Sequence, residues 1–218
     1  MSGVPRGEKA ADGKPQLTQQ GTIRRTSLLD AAETVLVAKG HASASLRAIA
    51  DEAGVRIGHL QHYFPARADL IKAVLERALD RSLERLADVT GLRVDPDDPS
   101  AIRPPRGRAD AADVVAVVLA EQDDPRLVRL YVEVWALAAK DDAIAHVVRE
   151  FYEKYVAHVA AFIQLNQPER PAASCRARAE TFVALIEGAA LLRSGIAGTR
   201  SAQTDAHLAD EAARLLSE

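Results

Sequence analysis

Apolar residues recur at intervals of three and four along most of the chain, which is the spacing of an amphipathic α-helix. Alternation of apolar and polar residues, the pattern of a half-buried strand, never persists for long. The sequence of 218 residues is therefore predicted to form an all-α protein.

Three short helical segments are predicted before a longer one. The first covers residues 26–39 and ends at Gly40, a residue that tolerates the backbone conformation after a helix. Its apolar face is formed by Leu28, Ala32, Val35 and Leu36. Ser45 is expected to cap a second helix that ends at Gly54, and a third is predicted at residues 56–64.

The remaining helices follow a fourth one that begins near residue 65. Residues 89–108 contain four prolines and are predicted to form a loop. Beyond this loop, helices are predicted at residues 109–121, 125–140, 141–165, 172–194 and 204–217.

Charge is distributed unevenly along the chain. The net charge is −3, but residues 1–72 hold 10 Lys and Arg against 7 Asp and Glu, whereas residues 73–218 hold 18 against 24. This asymmetry fits an N-terminal part that faces nucleic acid, and a random scatter of surface charge explains it nearly as well.

The N-terminal segment and the single cysteine bear on location. The first 26 residues lack the apolar stretch of a secretory signal, and no apolar run approaches the roughly 18 residues of a membrane helix. Residues 1–21 are predicted to be a flexible arm, and the expected location is cytoplasmic. Cys175 has no second cysteine with which to form an intramolecular disulfide.

The segment "EAGV" joins the second and third helices in the manner of a helix-turn-helix. Gly54 allows the turn, and Val55 is expected to seal it against the core together with Leu60 and Phe64. The opposite face of the third helix is left with side chains that suit base edges and phosphates. A helical hairpin that never meets DNA is the alternative interpretation.

Residues 22–72 resemble the N-terminal domain of the TetR family of bacterial transcriptional regulators. The family pattern is matched by "GHASASLRAIADEAGV" and by "GHLQHYFPARADL". The resemblance implies a DNA-binding domain at residues 22–67 and a ligand-binding and dimerisation domain at residues 68–218. It also implies a homodimer, most simply a repressor, that binds a palindromic double-stranded DNA operator and releases it when a small-molecule effector binds. A dimeric helical adaptor that has lost DNA binding is the alternative.

The resemblance also implies roles for individual positions. Ser45, Arg47, Tyr63 and Arg67 are expected to contact phosphates, and Gly58 is expected to allow a close approach to the DNA backbone. Five further residues are candidates for DNA binding: Arg56, Ile57, His59, Gln61 and His62. Each is expected either to contact a base or a phosphate or to be a solvated side chain without a DNA contact.

Expectations for the second domain rest on helical spacing together with the resemblance. Aromatic stripes are usually plain core, but the family has a ligand pocket there. The expected pocket residues are Leu79, Tyr131, Trp135, Phe151 and Tyr155. The expected dimer interface on the last two helices consists of Phe182, Leu185, Gly188, Ala189, Leu192, Leu208, Ala212 and Leu215.

Catalytic and metal-binding motifs are missing from the sequence. It contains no Gly-x-Ser-x-Gly elbow, no Walker loop and no His-Glu-x-x-His motif, so we expect no enzyme activity and no cofactor. His59 and His62 lie three residues apart, but no third ligand of suitable spacing follows, so no metal is expected.

Overall fold

The computed structural model describes residues 18–90, 93–94, 102–103 and 110–218. Most of these residues form α-helices, as predicted, and one short β-ribbon is added. The helices are α1 (Gln19–Lys39), α2 (Leu46–Glu52), α3 (Ile57–Tyr63), α4 (Arg67–Thr90), α5 (Ala111–Glu121), α6 (Pro125–Ala138), α7 (Asp142–Asn166), α8 (Ala172–Arg193) and α9 (Ala202–Ser217).

Helix α1 begins seven residues earlier than the apolar spacing predicts. Thr18 caps it, because the Thr18 side chain accepts a hydrogen bond from the Gly21 backbone N–H at 3.2 Å. The last three residues of the predicted arm, residues 19–21, are therefore helical. The rest of that arm, apart from Thr18, lies outside the described residues.

The turns around α2 follow the predicted capping chemistry. Gly40 has φ 73° and Gly54 has φ 65°, a conformation that side chains with a Cβ rarely adopt. The Ser45 side chain accepts a hydrogen bond from the Ala48 backbone N–H at 3.1 Å, which caps α2. The turn at Gly40 leads from α1 to α2, and the turn at Gly54 sets the angle between α2 and α3.

The predicted loop at residues 89–108 falls largely outside the described residues. Its described part contains two strands of two residues each, β1 (Arg93–Val94) and β2 (Ile102–Arg103), which pair antiparallel. This ribbon is a small addition to an all-α fold, and the sequence pattern gave no sign of it.

Four of the five helices from α5 to α9 have a side-chain cap at the N-terminus, and α8, which follows Pro171, has none. The side chains of Asp110, Asp124, Asp141 and Ser201 accept hydrogen bonds from backbone N–H groups in the first turns of α5, α6, α7 and α9. Carboxylates at these positions also favour the positive end of the helix dipole. Within the described residues, no helix is long and apolar enough to cross a membrane.

Two hydrophobic cores hold the helices together. The first joins residues of α1–α4 to Leu130, Val134 and Phe151 from α6 and α7, and the second joins α5, the end of α7, α8 and α9. The first core crosses the domain boundary predicted after residue 67. A displacement of α6 or α7 would therefore change the packing of the helices that carry the predicted DNA-binding residues.

A buried arginine joins the second core to the turn before α6. The Arg193 side chain is 3% exposed and forms an ion pair with Asp205 at 2.8 Å. It also donates hydrogen bonds to the Leu119 carbonyl at 3.0 Å and to the Gln122 side chain at 2.8 Å. These partners offset the cost of burying the charge.

Candidate functional site

Helix α3 exposes the face that the sequence assigns to DNA. Leu60 and Phe64 are buried, and Val55 packs against the same core. The opposite face, which is exposed to solvent, carries Arg56, Ile57, Gly58, Gln61 and His62. His59 and Tyr63 are half-buried at the edge of this face, where their ring centroids lie 5.5 Å apart. The helix is therefore anchored on one side and accessible on the other.

Two arginines of α1 lie next to α3, and the sequence interpretation missed both. Arg24 Nη1 lies 3.5 Å from His59 Nε2, and the guanidinium of Arg25 stacks over the Phe64 ring at 5.4 Å from its centroid. Because α1 begins earlier than predicted, these residues sit on an ordered helix. The pair "RR" ahead of an apolar face was the available signal.

Ser45 and Arg47 are exposed at the start of α2. Arg67 lies at the start of α4, and its Nη2 donates a hydrogen bond to the His41 carbonyl at 2.9 Å. Burial lowers the pKa of the Arg67 guanidinium, and the nearby Asp141 carboxylate opposes that effect. The contact of Arg67 with a DNA phosphate stays a prediction.

Glu133 of α6 is bound to the turn between α1 and α2. Its Oε2 accepts hydrogen bonds from the His41 backbone N–H and interacts with His41 Nδ1 at 2.6 Å. Together with Arg67, which binds the His41 carbonyl, this contact pins the turn before the helix-turn-helix to both α4 and α6.

Four of the five predicted pocket residues lie in one group of rings. We define the aromatic cluster as Tyr131, Trp135, Phe151, Tyr152 and Tyr155. Within it, the Phe151 ring centroid lies 5.9 Å from that of Tyr131, 5.1 Å from that of Tyr152 and 6.4 Å from that of Tyr155. Trp135 Nε1 donates a hydrogen bond to the Tyr152 hydroxyl at 3.0 Å. The sequence interpretation had omitted Tyr152.

A glutamate lies against the aromatic cluster, and no sequence motif marked it. The carboxyl of Glu187 on α8 lies near the Tyr152 hydroxyl of this cluster. Burial raises the pKa of the Glu187 carboxyl to about 7, and the nearby Tyr152 hydroxyl only partly opposes this effect. Burial and the Glu187 charge raise the pKa values of Tyr131, Tyr152 and Tyr155, so these rings stay neutral.

The fifth predicted pocket residue, Leu79, lines a groove between α4 and α7. This groove has a volume of about 660 Å³ and includes Leu75, Leu79, Val147 and Phe151 among its apolar walls. Phe151 belongs both to the groove and to the aromatic cluster. Leu79 and Tyr155 also line a small interior cavity of about 50 Å³.

The predicted dimer residues divide into two groups, and three of them are corrected. Phe182, Ala189 and Ala212 are 0%, 2% and 0% exposed, because they face the core of their own chain. Helical spacing identifies an apolar face but not the partner it meets. The positions that remain accessible are Leu185, Gly188, Leu192, Leu208 and Leu215.

The arrangement of the acidic, histidine and cysteine side chains bears on metal binding. Within residues 18–90, 93–94, 102–103 and 110–218, no group of three His, Cys, Asp or Glu side chains is arranged to hold a metal ion. His62 is exposed, and His59 instead contacts Arg24 and Tyr63.

Comparison with protein families agrees with this architecture. The model described as "Bacterial regulatory proteins, tetR family" matches residues 28–74. The model described as "BetI-type transcriptional repressor, C-terminal" matches residues 105–217, which is more than half of the chain. The chain therefore belongs to the TetR family. Proteins of this family are transcriptional regulators and not enzymes, so the predicted class is confirmed.

Individual relatives resemble either the first helices or the whole fold. The transcriptional repressor KstR2 of Rhodococcus jostii (strain RHA1) is 32% identical over 72 residues, which cover 33% of this chain and 35% of that protein. The match thus spans about a third of the relative. Salmonella enterica GusR has a TM-score of 0.69 at 22% identity, covering 92% of this chain and 98% of its own. A Saccharomonospora viridis regulator, solved in complex with choline, has a TM-score of 0.60 at 18% identity, covering 87% of this chain and 95% of its own.

Proposed function

We propose that this chain is a ligand-responsive repressor that binds a near-palindromic operator as a homodimer. The observation that carries the proposal is the exposed face of α3, which presents Arg56, Gln61 and His62 while Leu60 and Phe64 anchor the helix. A helix held in this way fits the major groove, where such side chains bind base edges. We also propose that it acts in the cytoplasm, where its DNA target lies.

The homodimer is proposed to form through the accessible faces of α8 and α9. Leu192 is 55% exposed, and a Cβ added at Gly188 would meet no atom within 4 Å in its own chain. Glycine inside a helix destabilises it by about 0.5–1 kcal/mol relative to alanine. A glycine at this position would allow a helix of the partner subunit to pack closely against α8. Dimerisation would set two α3 helices at the spacing of successive major grooves.

Ligand response is proposed to pass through α6 as well as α4. On α6, Tyr131 and Trp135 belong to the aromatic cluster, while Glu133 between them binds the turn that leads to α2. A ligand that displaces the rings would shift α6 and therefore His41 and the helix-turn-helix. The choline complex of the Saccharomonospora viridis regulator supports small-molecule binding by a fold of this kind.

DNA binding by this surface can be tested by fluorescence anisotropy. The probe is duplex DNA that flanks the chain's own gene, with a random duplex as the comparison. Arg56→Ala should weaken binding to the cognate duplex by about 1–3 kcal/mol and have little effect on random DNA, because base contacts supply the specificity. The control is Arg176→Ala, which removes the same charge from an exposed side chain of α8.

The outcomes separate the two candidate functions. Specific binding that weakens with salt, and that Arg56→Ala reduces selectively, supports the repressor. A protein that dimerises but binds neither duplex would instead be the helical adaptor.

A further inference from the structure

We propose that Arg24 of α1 binds a phosphate of the DNA backbone beside the bases that α3 contacts. The inference rests on the proposed DNA binding by α3, and it adds a contact from a helix outside the helix-turn-helix. It also assigns the chemistry of this contact, which is a charged hydrogen bond to phosphate that carries no information about the base sequence.

The first argument is the position of Arg24. Its Nη1 lies 3.5 Å from Nε2 of His59, a residue at the edge of the exposed face of α3. The next residue, Arg25, stacks its guanidinium over the ring of Phe64 at the end of α3, 5.4 Å from the ring centroid. The second turn of α1 therefore lies beside α3, and Arg24 is next to the surface that would face DNA.

The second argument is the number of hydrogen-bond donors that Arg24 has left. A guanidinium has five N–H groups and accepts no hydrogen bond, so His59 Nε2 can only be the acceptor in this contact. The Arg24 side chain is exposed, and the His59 ring is its one hydrogen-bond partner among the residues that the structure describes. Most of its N–H groups therefore remain available, and two of them suffice for the bidentate geometry in which a guanidinium binds phosphate.

The third argument is charge. A guanidinium is always protonated in proteins, and within the described ranges Arg24 forms no ion pair with a carboxylate. Lys39 of the same helix differs in this respect, because it pairs with Glu52 at 2.9 Å. The first turns of α1, α2 and α3 contain no Asp or Glu, although such residues are favourable at the start of a helix. These turns therefore carry no negative charge that would repel a phosphate.

The neighbourhood of Arg24 favours a phosphate over a base edge. Base edges are read by the element that enters the major groove, which in the proposed complex is α3. Arg24 belongs to an adjacent helix and reaches only the edge of the α3 face. The sugar-phosphate backbone that borders the groove is therefore the part of the DNA that this side chain meets. Contacts of this kind fix the position of a protein on the duplex without reading its sequence.

The test is fluorescence anisotropy with the cognate and random duplexes at several salt concentrations. Arg24→Gln keeps a long polar side chain but removes the charge, and it should weaken binding to both duplexes by the same factor, about tenfold at low salt. Each phosphate contact contributes about 0.9 to the slope of log affinity against log salt, so a dimer should lose about 1.8. The control Arg176→Gln removes the same charge from an exposed side chain of α8 and should change neither value.

A second experiment identifies the phosphate. Each phosphate of the cognate duplex is replaced in turn by a neutral methylphosphonate. At one position in each half-site, this replacement should weaken the wild type about tenfold but leave Arg24→Gln almost unchanged, because that variant has already lost the contact. Arg24→Lys should retain most of the wild-type affinity, since an ammonium group also binds phosphate.

The outcomes separate this inference from the proposed function. Specific DNA binding that Arg24→Gln leaves unchanged would overturn the inference and leave the repressor standing. A loss confined to the cognate duplex would also overturn it, because Arg24 would then contact a base. Methylphosphonates that weaken the wild type and Arg24→Gln alike at every position would contradict it as well. A wild-type protein that binds neither duplex would refute the proposed function and this inference with it.

Discussion

Replacing Glu187 by glutamine should stabilise the protein at alkaline pH and leave its stability almost unchanged at acidic pH. Burial raises the pKa of Glu187 from 4.5 to about 7 in the folded chain. Between these two values the folded state holds a proton that the unfolded state has released. The free energy of unfolding therefore falls as pH rises through this range, and the loss is complete above about pH 7.

The size of the effect follows from the same change in pKa. Each pKa unit corresponds to about 1.36 kcal/mol, and partial exposure of Glu187 reduces the total to roughly 2–3 kcal/mol. Glutamine has nearly the same shape as the protonated carboxyl of glutamate and carries no charge at any of these pH values. Tyr131 and Tyr155 stay neutral across this range, and Glu121, whose pKa burial also raises, titrates alike in both proteins.

The assay is urea denaturation at pH 5 and pH 8 at one protein concentration, because dimerisation would make stability depend on concentration. Glu187→Gln should match the wild type at pH 5 and gain roughly 2–3 kcal/mol at pH 8. Glu180→Gln, which is exposed, should change little at either pH. An identical difference between Glu187→Gln and wild type at both pH values would refute the reasoning.

Two further variants test the assembly and the second core. Leu192→Arg should convert dimers to monomers, as measured by light scattering. The control Leu165→Arg, which replaces an exposed leucine on α7, should leave the dimer intact. Dimers that persist in Leu192→Arg would place the interface elsewhere. Arg193→Met should lower the free energy of unfolding by about 1–3 kcal/mol because it leaves the buried Leu119 carbonyl without its donor and Asp205 with Arg200 as its remaining cation, whereas Arg200→Met should cost under about 1 kcal/mol because Arg200 is half exposed. Equal losses in denaturant unfolding would contradict the role given to the buried arginine.

The helix-turn-helix could be predicted because its signals are local. Apolar spacing, a capping serine at residue 45 and glycines at the two turns define α2 and α3 to within a residue. The start of α1 could not be predicted in this way. The segment "QQGTIRR" has no apolar face, and Ile23 is 63% exposed. This first part of α1 is therefore a continuation of the helix that the buried residues from Leu28 onward stabilise.

Features that depend on contacts between residues far apart in the chain could not be predicted from the sequence. The aromatic residues were recognised, but Glu187 looks like any surface glutamate of a helix until Tyr152 and the cluster are brought beside it. Helix α8 carries apolar residues on more than one face, so Phe182 and Ala189 could not be told from Leu192. Arg67 was assigned to phosphate by its position, and its hydrogen bond to the His41 carbonyl could not be predicted from that position.

Selection of bound sequences from a pool of random DNA duplexes tests the central claim most directly. The full-length protein without ligand should enrich a near-palindrome whose half-sites are separated by about one helical turn or a similar groove-matched distance. A pool that stays random after repeated selection, or that yields one unrepeated half-site, would contradict a homodimeric DNA-binding repressor.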